Sequence, residues 1–524
     1  METKFERAHS DQILGGLTGI DRLILRGHLT YFFRPGAFEH FLWQQRVLLK
    51  DYKGYVQKAT TAIKAHALQM ATKANRPYIH LNQVVKGKDE LAKEIAQRDG
   101  ITEGLICILS TLEASWSFDV QGNHRTHKLE IVRRQRKCLH LYFYFIDPEF
   151  GFMHLRLQSW FPFQIQVYIN GREWLVRQLE KRRIRFQRYE NALLSVEDLP
   201  AAQKLSMHLA RRKWPRVLDV FARRINAWLP TIRRFSYGLG YYWVTDQCEI
   251  ATDIMWKDRR KLAAIMPDLF DHAIHAFSAN DVMRFLGRRI TNNFKADVVS
   301  DDKRVPTTLR GRPEGRRVKH RVARNWIKFY DKWSVFRVET VINNPRDFRI
   351  FRAVKPLRGR KKWRWMPMAK GVANLWRYFE VGRQSNERYL DALSEAHLKG
   401  KAVADLDNLC HGRIVQGRQY GRFNPVSSAD CALFAAAMAG EQAIQGLRNR
   451  TIRQRLYPSP ATSPQEARRR CARVSRLIAK LRGHGLIAKV PTRRLYRVTT
   501  RGQRLMSAAL QYRNLGLTLS SAAA

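Results

Sequence analysis

Four acidic residues occur in segments whose apolar and β-branched residues are typical of strands, and their types and spacing are suited to metal chemistry. Glu249 and Asp253 lie in "VTDQCEIATDI", which also contains Asp246, and Asp331 and Glu339 lie in "KFYDKWSVFRVET". Cleavage of a phosphodiester with a divalent cation requires two or three carboxylates around that cation and a positive group nearby. We therefore predict a catalytic metal site for Mg²⁺ or Mn²⁺. Its ligands and catalytic residues would be Glu249, Asp253, Asp331 and Glu339.

Basic residues in the second of these segments could bind phosphate. The stretch from His320 to Thr340 alternates apolar and polar residues and predicts a β-hairpin. With its turn at Lys332-Trp333, Lys328 would face Arg337 across the two strands, and Glu339 would lie on the same face. The alternative interpretation is a salt-bridged strand pair without catalysis, which would contribute about 0.2–1 kcal/mol. Both interpretations remain open at this point.

The pattern "KFYDK…FRVET" is similar to the K-x-Y-x-K … R-x-E strand pair of rolling-circle replication initiators from plasmids and filamentous phages. The resemblance is confined to this hairpin, and it implies DNA nicking. The chain departs from that family because it has no His-hydrophobic-His metal motif. His140 in "CLHLYF" and His154 in "FMHLRL" are single histidines on neighbouring candidate strands.

The charge of the whole chain restricts its partners. Its 524 residues include 95 Lys plus Arg against 45 Asp plus Glu, which gives a net charge of +50 and a pI near 10.7. Solubility of a small domain needs a net charge of only about 2–8. Nucleic acid is the natural polyanion for such a chain, because each phosphate contact releases a counterion. The basic residues are spread along the chain, so no membrane partner is predicted.

The C-terminal sequence "SPQEARRRCARVSRLIAKLRGHGLIAKVPTRRLYRVTTRGQRLMSAAL" predicts a helix, a two-stranded wing and a closing helix. Ser463 would cap the first helix, with Pro464 at its first position. The motifs "LRGHGLIAKV" and "YRVTTRG" resemble the winged helix-turn-helix domains of bacterial regulators such as the MarR family. The resemblance implies nucleic-acid binding in a major groove. The predicted contacts are Arg469, Arg473, Arg476 and Lys480 on the helix and Arg493 and Arg494 at the wing tip.

A second cationic segment mixes arginine and lysine with tryptophan. "RGRKKWRWMP" spans 358–367, and such interleaving suits a single-stranded nucleic acid whose bases stack on aromatic rings. The predicted phosphate contacts are Arg358, Arg360, Lys361 and Lys362. The alternative is that the tryptophans belong to the core and the charges are solvated.

The elements that must position these residues predict an α+β protein. We expect a helical N-terminal region (1–100), an antiparallel-sheet α+β domain (101–195) and a second α+β domain with β-hairpins (196–400). A polar, Gly-rich linker (401–425) would join them to the winged helix-turn-helix domain (426–524). None of the six cysteines forms a C-x-x-C pair, and the start "METKFERAHSDQ" lacks the character of a signal peptide, so we expect a cytoplasmic protein with reduced thiols.

Two functions are compatible with these features. The first is a mobile-element or replication-initiator protein, in which the α+β centre nicks DNA or transfers strands with a metal ion and the winged helix finds the site. The second is a non-catalytic binder of RNA or DNA, such as a ribonucleoprotein scaffold or a transcriptional regulator. Charge alone does not separate DNA from RNA.

Overall fold

The computed structural model describes residues 2–82, 87–235, 238, 240–287, 305–312, 315–354, 362–397, 406, 408–439, 446–491 and 495–522. The chain forms two compact units. The first unit combines Met1–Gly16, Asp253–Val338 and Gln384–Ala524, and the second combines Leu17–Thr252 and Glu339–Arg383. Neither unit is continuous in sequence, which differs from the five consecutive regions predicted above. Both units mix helices and strands, which confirms the α+β class.

The elements follow in chain order. The helices are α1 (Lys4–Ala8), α2 (Pro35–Gln44), α3 (Tyr52–Lys73), α4 (Lys88–Arg98), α5 (Gly171–Lys181), α6 (Leu199–Arg211), α7 (Trp214–Ile225), α8 (Leu229–Phe235), α9 (Arg259–His275), α10 (Ala279–Phe285), α11 (Leu375–Leu393), α12 (Ser428–Met438), α13 (Asn449–Leu456), α14 (Pro464–Gly483) and α15 (Thr500–Ala522). The strands are β1 (Ile13–Leu29), β2 (Tyr78–Leu81), β3 (Gly104–Asn123), β4 (Lys128–Asp147), β5 (Gly151–Gln158), β6 (Ile165–Asn170), β7 (Phe186–Tyr189), β8 (Ala192–Val196), β9 (Tyr241–Trp256), β10 (Thr307–Arg312), β11 (Gly315–Val322), β12 (Asn325–Lys332), β13 (Val335–Ile342), β14 (Arg349–Val354), β15 (Lys362–Pro367), β16 (Arg413–Val415), β17 (Arg418–Tyr420), β18 (Ile487–Lys489) and β19 (Tyr496–Val498).

A mixed sheet forms the centre of the second unit. Its strands lie in the order β13-β9-β1-β6-β5-β4-β3-β2, where β13 contributes its last residues. The pairs from β1 to β3 are antiparallel, and β2 joins β3 in parallel. The prediction of an antiparallel sheet from 101 to 195 therefore describes most of this region, and the parallel edge strand β2 is the exception.

Strand β1 corrects the prediction that residues 1–100 are mostly helical. It is 17 residues long, and from Arg22 to Leu29 buried residues alternate with more exposed ones. Such a period of two is the pattern of a strand with one covered face. On the covered side, a cluster of phenylalanines packs together: Phe32, Phe38, Phe41, Phe118 and Phe161.

The sheet of the first unit has the strand order β10-β11-β12-β13-β9. The predicted hairpin is thus part of a three-stranded meander, and its turn lies at Trp333 and Ser334 instead of Lys332-Trp333. Every residue of β13 is buried, and Phe336 and Val338 belong to the core of this unit. The prediction of a strand with one buried face and one exposed, charged face is therefore wrong for β13.

Burial of β13 places a charged pair inside the first unit. Arg337 Nε donates to Asp253 Oδ1 at 2.6 Å, and Arg337 Nη2 donates to Asp253 Oδ2 at 2.9 Å. Both side chains are fully buried. This two-point geometry satisfies both carboxylate oxygens at once, which is the condition under which a buried ion pair is tolerated.

The C-terminal part of the first unit has the predicted order of elements. Helices α12 to α14 are followed by the antiparallel pair β18–β19 and by α15. Ser463 caps α14 by accepting a hydrogen bond from Glu466 N, and Pro464 is the first helical residue. Val474, Ile478 and Leu481 of α14 lie in a common core. The assignment to the winged helix-turn-helix class stays a prediction.

Two other boundaries differ from the predicted ones. Residues 401–425 were predicted to be a linker, but Leu409 and Phe423 are buried in the same core as α12 and α14. The predicted domain 196–400 is divided between the two units, because β9 belongs to the second unit up to Thr252 and to the first unit from Asp253. Among the described residues, no helix has both the length and the apolar composition that crossing a bilayer requires.

The buried pair provides a stability prediction. We expect Asp253→Ala to lower the free energy of unfolding by about 3–5 kcal/mol, because it removes the carboxylate that accepts two hydrogen bonds from the buried guanidinium of Arg337. The change is measured as a fall in the urea midpoint at constant slope. The control is Glu197→Ala, which removes the exposed ion pair with Arg185 and is expected to leave the urea midpoint nearly unchanged. Equal costs for the two substitutions would contradict the interpretation.

Candidate metal centre

The middle of β1 packs closely against α5 and α6. A Cβ on Gly19 would lie 2.5 Å from Ser206 Oγ and 3.2 Å from the Arg172 guanidinium, so only glycine fits at this position. Ser206 also donates to the carbonyl of Thr18, and the hydroxyl of Thr18 lies 2.9 Å from that of Thr252 on β9. These contacts hold β1 in place immediately before Asp21 and Arg22.

Three carboxylates from three strands converge in the second unit. Asp21 lies on β1, Glu249 on β9 and Glu339 on β13, and one oxygen from each lies within 4.8 Å of the others. The three residues are 8%, 4% and 1% exposed. Oxygen ligands on opposite sides of Mg²⁺ lie about 4.2 Å apart, and those of Ca²⁺ about 4.6–5.2 Å apart. The spacing of the three carboxylates therefore fits the first coordination sphere of one hard divalent cation.

Arg22 is the cation beside this cluster. Its Nε lies 3.7 Å from Glu249 Oε2, and its side chain is 48% exposed. Burial acts to lower the pKa of Arg22, but the attraction of Glu249, Tyr168, Asp21 and Glu339 outweighs it, and the pKa is raised above its usual value. Arg22 thus stays charged while one part of it contacts the cluster and the rest reaches solvent.

Neighbouring polar groups orient the cluster. Asn191 Nδ2, in the turn between β7 and β8, donates to both oxygens of Asp21 at 2.9 and 3.2 Å. Tyr168 lies on β6 opposite Ile24, and its ring stacks on that of His154 at 5.0 Å. Burial raises the pKa of Tyr168 and lowers that of His154 to about 4, so both are neutral at pH 7. Such fixed neighbours limit the positions that a ligand carboxylate can adopt.

The structure separates the four predicted acidic residues. Glu249 and Glu339 belong to the converging cluster, and their role as metal ligands stays a prediction. Asp253 does not, because both of its oxygens accept hydrogen bonds from Arg337. Asp331 is half-buried next to Gly315 on β11 and is not a member of the cluster. Burial raises the pKa of Asp331, with the Arg259 charge acting in the opposite direction.

The predicted phosphate contacts of the central region also have different environments. Arg337 is buried and holds Asp253, so its guanidinium is not presented to a phosphate. Lys328 is half-buried and lies directly opposite Lys319 across β11 and β12. Burial and the nearby charges of Arg317 and Lys328 lower the pKa of Lys319, which shows how closely cations gather on these strands. Such crowding is relieved by an anion.

The aromatic and cationic segment forms an exposed strand, and a core position of its tryptophans is excluded. Lys362 is exposed at the start of β15, and Trp363 and Trp365 on the same strand are 65% and 51% exposed. The predicted contacts Arg358, Arg360 and Lys361 lie outside the described residues.

The C-terminal helix α14 exposes three of its four predicted nucleic-acid contacts. Arg469, Arg473 and Arg476 are exposed on one side of it. Lys480 is less accessible, since its Nζ lies 3.6 Å from Asp430 and 3.9 Å from the centre of the Phe423 ring. The predicted wing-tip contacts Arg493 and Arg494 lie outside the described residues.

Sequence reasoning missed Asp21 and Arg22. The signal was an acid and a base in the middle of the largely apolar stretch "ILGGLTGIDRLILRGHL". An aspartate in such a segment is costly unless it has a partner or a ligand. Comparison with models of protein families, with curated proteins and with solved structures found no match to this chain.

The cluster predicts metal-dependent stabilisation. At a concentration one hundred times its dissociation constant, Mn²⁺ or Mg²⁺ should stabilise the folded chain by about 2.7 kcal/mol, because it binds only the folded cluster. We expect Glu339→Gln and Asp21→Asn to abolish this thermal shift. The matched control is Asp246→Asn on β9, which pairs with Arg26 and leaves the three ligands in place. A shift of wild-type size in both cluster variants would exclude the site.

Helix α14 predicts salt-dependent duplex binding. Replacing Arg469, Arg473 or Arg476 by alanine should weaken binding to duplex DNA similarly for all sequences. For each phosphate that the variant no longer neutralises, the slope of log affinity against log salt should become shallower by about 0.9. The measurement is fluorescence anisotropy at several salt concentrations. Arg185→Ala serves as the control, since this side chain is 87% exposed but far along the chain from α14. Unchanged slopes in all three variants would place duplex binding elsewhere.

Proposed function

We propose that this protein binds nucleic acid and cleaves its phosphodiester backbone with a divalent cation held by Asp21, Glu249 and Glu339. The observation that carries the proposal is the convergence of these three carboxylates beside a half-exposed arginine. Carboxylate oxygens are the ligands that Mg²⁺ and Mn²⁺ prefer. A cluster for a softer metal would contain cysteine or histidine.

The chemistry follows from the residues around the cluster. A cation bound by the three carboxylates would supply Lewis-acid chemistry, because it would polarise a phosphoryl oxygen and lower the pKa of a nearby water. Hydrolysis would form a bond from the water oxygen to phosphorus, break the P–O bond to the sugar oxygen and transfer a water proton to that leaving oxygen. Arg22 is placed to contact the same phosphate, because its guanidinium borders the cluster and extends towards solvent. It would offset the negative charge that develops on the phosphoryl oxygens.

The charge of the chain identifies the substrate class. A net charge of +50 attracts a polymer of phosphates far more strongly than a single small phosphate ester, because many contacts add together. The exposed arginines of α14 offer a second contact surface. A cleavage site combined with a separate binding element is what a mobile-element or replication-initiator protein requires, and we extend the proposal to that class.

The test uses labelled single-stranded DNA, duplex DNA and RNA, each with Mg²⁺, with Mn²⁺ or with EDTA. We expect metal-dependent cleavage of at least one of these polymers by the wild-type chain. Asp21→Asn, Glu249→Gln and Glu339→Gln should each lower the rate about a hundredfold or more, because even the outer partners of metal ligands contribute about 10–100-fold.

The matched control for cleavage is Asp331→Asn, which removes a half-buried acid outside the cluster and should leave the rate unchanged. Binding of all three polymers without cleavage would favour the second candidate, a non-catalytic nucleic-acid binder. That candidate has its own support in the exposed cations of α14 and in the opposed pair Lys319 and Lys328. Cleavage that persists in all three cluster variants would exclude the proposed site.

A further inference from the structure

Strands β14 and β15 form a two-stranded ribbon, which we call the aromatic arm (Arg349–Val354 and Lys362–Pro367). Only its base is anchored: Ile350 is 4% exposed, and Met368 N donates to the carbonyl of Phe348 at 2.8 Å. Beyond Ile350 the described residues of both strands are exposed or half-exposed on both faces. Because the described residues beyond Ile350 stay accessible on both faces, the ribbon gains little stability from burial. Packing therefore does not explain why it is rich in aromatic and basic residues.

One face of the aromatic arm carries three large rings. Phe351 lies opposite Trp365, and Trp363 lies opposite Ala353, so that the three rings share a face. The Phe351 ring centre is 5.5 Å from those of both tryptophans, and the rings are 47%, 65% and 51% exposed. The Arg377 guanidinium lies 5.5 Å from the centre of the Trp365 ring and supports it. Exposed apolar surface this continuous is typical of an interaction site.

The opposite face of the aromatic arm is cationic. Arg352 lies directly opposite Arg364, and Val354 lies opposite Lys362. Like charges directly opposite in a strand pair destabilise it, so the pair of arginines does not serve folding. From Arg349 to Pro367 the sequence contains eight basic residues and no acidic residue. This composition favours a polyanion as the partner over an apolar peptide or an uncharged surface.

We propose that the aromatic arm binds single-stranded nucleic acid, with unpaired bases stacked on Phe351, Trp363 and Trp365 and the phosphate backbone along the arginines. The inference rests on the proposed function in one respect, namely that the polyanion is nucleic acid. Both faces of a base in a duplex are covered by its neighbours, whereas an unpaired base can stack on an exposed ring. Both strands of the ribbon are edge strands, so the flexible side chains of Arg352 and Arg364 would bend around its edges to contact the backbone of a nucleic acid stacked on the rings.

The test measures binding without catalysis, by fluorescence anisotropy in EDTA with the full chain. The probes are labelled oligo(dT), oligo(U) and a DNA duplex, each of about 20 units, which exceeds the ~4–16 nucleotides that one binding fold covers. Trp363→Ala and Trp365→Ala should each weaken binding of the single strands about tenfold and leave duplex affinity unchanged. The two single-stranded probes separate DNA from RNA as the source of the unpaired bases.

The matched control is Trp43→Ala on α2, because this tryptophan is 73% exposed but does not belong to the aromatic arm. It should bind every probe as the wild-type chain does. The double variant Arg352→Ala with Arg364→Ala should lower the salt slope for oligo(dT) by about 0.7 for each phosphate that it no longer neutralises. The tryptophan variants should leave that slope unchanged, since stacking releases no counterion.

A second pair of variants tests whether a loss of affinity comes from the missing aromatic ring or from unfolding of the ribbon. Trp363→Phe and Trp365→Phe keep an aromatic ring at each position, so they should retain most of the affinity while removing the quenching of tryptophan emission that stacked bases cause. Quenching of wild-type size in these variants, or wild-type affinity in the alanine variants, would overturn the inference. An equal loss for single strands and duplex would also overturn it. A wild-type chain that binds none of the probes would instead refute the proposed function.

Discussion

Mutual repulsion among buried carboxylates is the constraint on which the second unit depends. Asp21, Glu249 and Glu339 lie within 4.8 Å of one another and are nearly inaccessible to water, so each raises the cost of ionising the others. Three neighbouring strands are required to produce this arrangement, and the close packing of Gly19 against α5 and α6 keeps the first of them in position. A fold that tolerates this cost without a ligand would need dedicated cations, and Arg22 is one such cation. The divalent cation proposed for this site would offset the repulsion more completely.

The pair formed by Arg337 and Asp253 shows the other outcome for charges on the same kind of strand. Its two hydrogen bonds join one cation to one anion, and both side chains are excluded from solvent. Such a pair has no net charge to attract a ligand and no accessible surface to receive one. Charged residues of the same types therefore have two different roles in neighbouring strands. Arg337 and Asp253 form a structural pair, and the three carboxylates form a candidate site, because their partners differ.

Basic residues lie close together at three places in the described part of the chain. On β11 and β12, lysines face each other across a strand pair; on α14, arginines line the exposed side of a helix; and on the aromatic arm, arginines share a ribbon with exposed rings. In each setting like charges stand close together at a cost to folding. Binding of phosphates would relieve this repulsion, and the counterions released on binding would add to the affinity. The aromatic arm adds rings to its cations, which distinguishes it from the other two.

The amino-acid sequence determined those features that depend on local pattern. The α+β class, the cap of α14 and the following strand pair β18–β19 follow from residue types and their period. The charge of the chain likewise needs no structure. Predictions from local pattern were wrong where burial is caused by distant segments. The sequence around β13 predicts a strand with one exposed face, yet segments far away in the chain bury both faces.

Only the tertiary structure decided which acids meet. Asp253 is four residues from Glu249 on the same strand, and spacing alone could not show that a distant arginine would hold the first and leave the second for the cluster. Asp21 is more than two hundred residues from both of its partners, and no local signal relates it to them. The physical reason is the same in both cases. Strand order in a sheet is set by long-range pairing, and one residue of register or one neighbouring strand determines whether a carboxylate gains a salt bridge or joins other carboxylates.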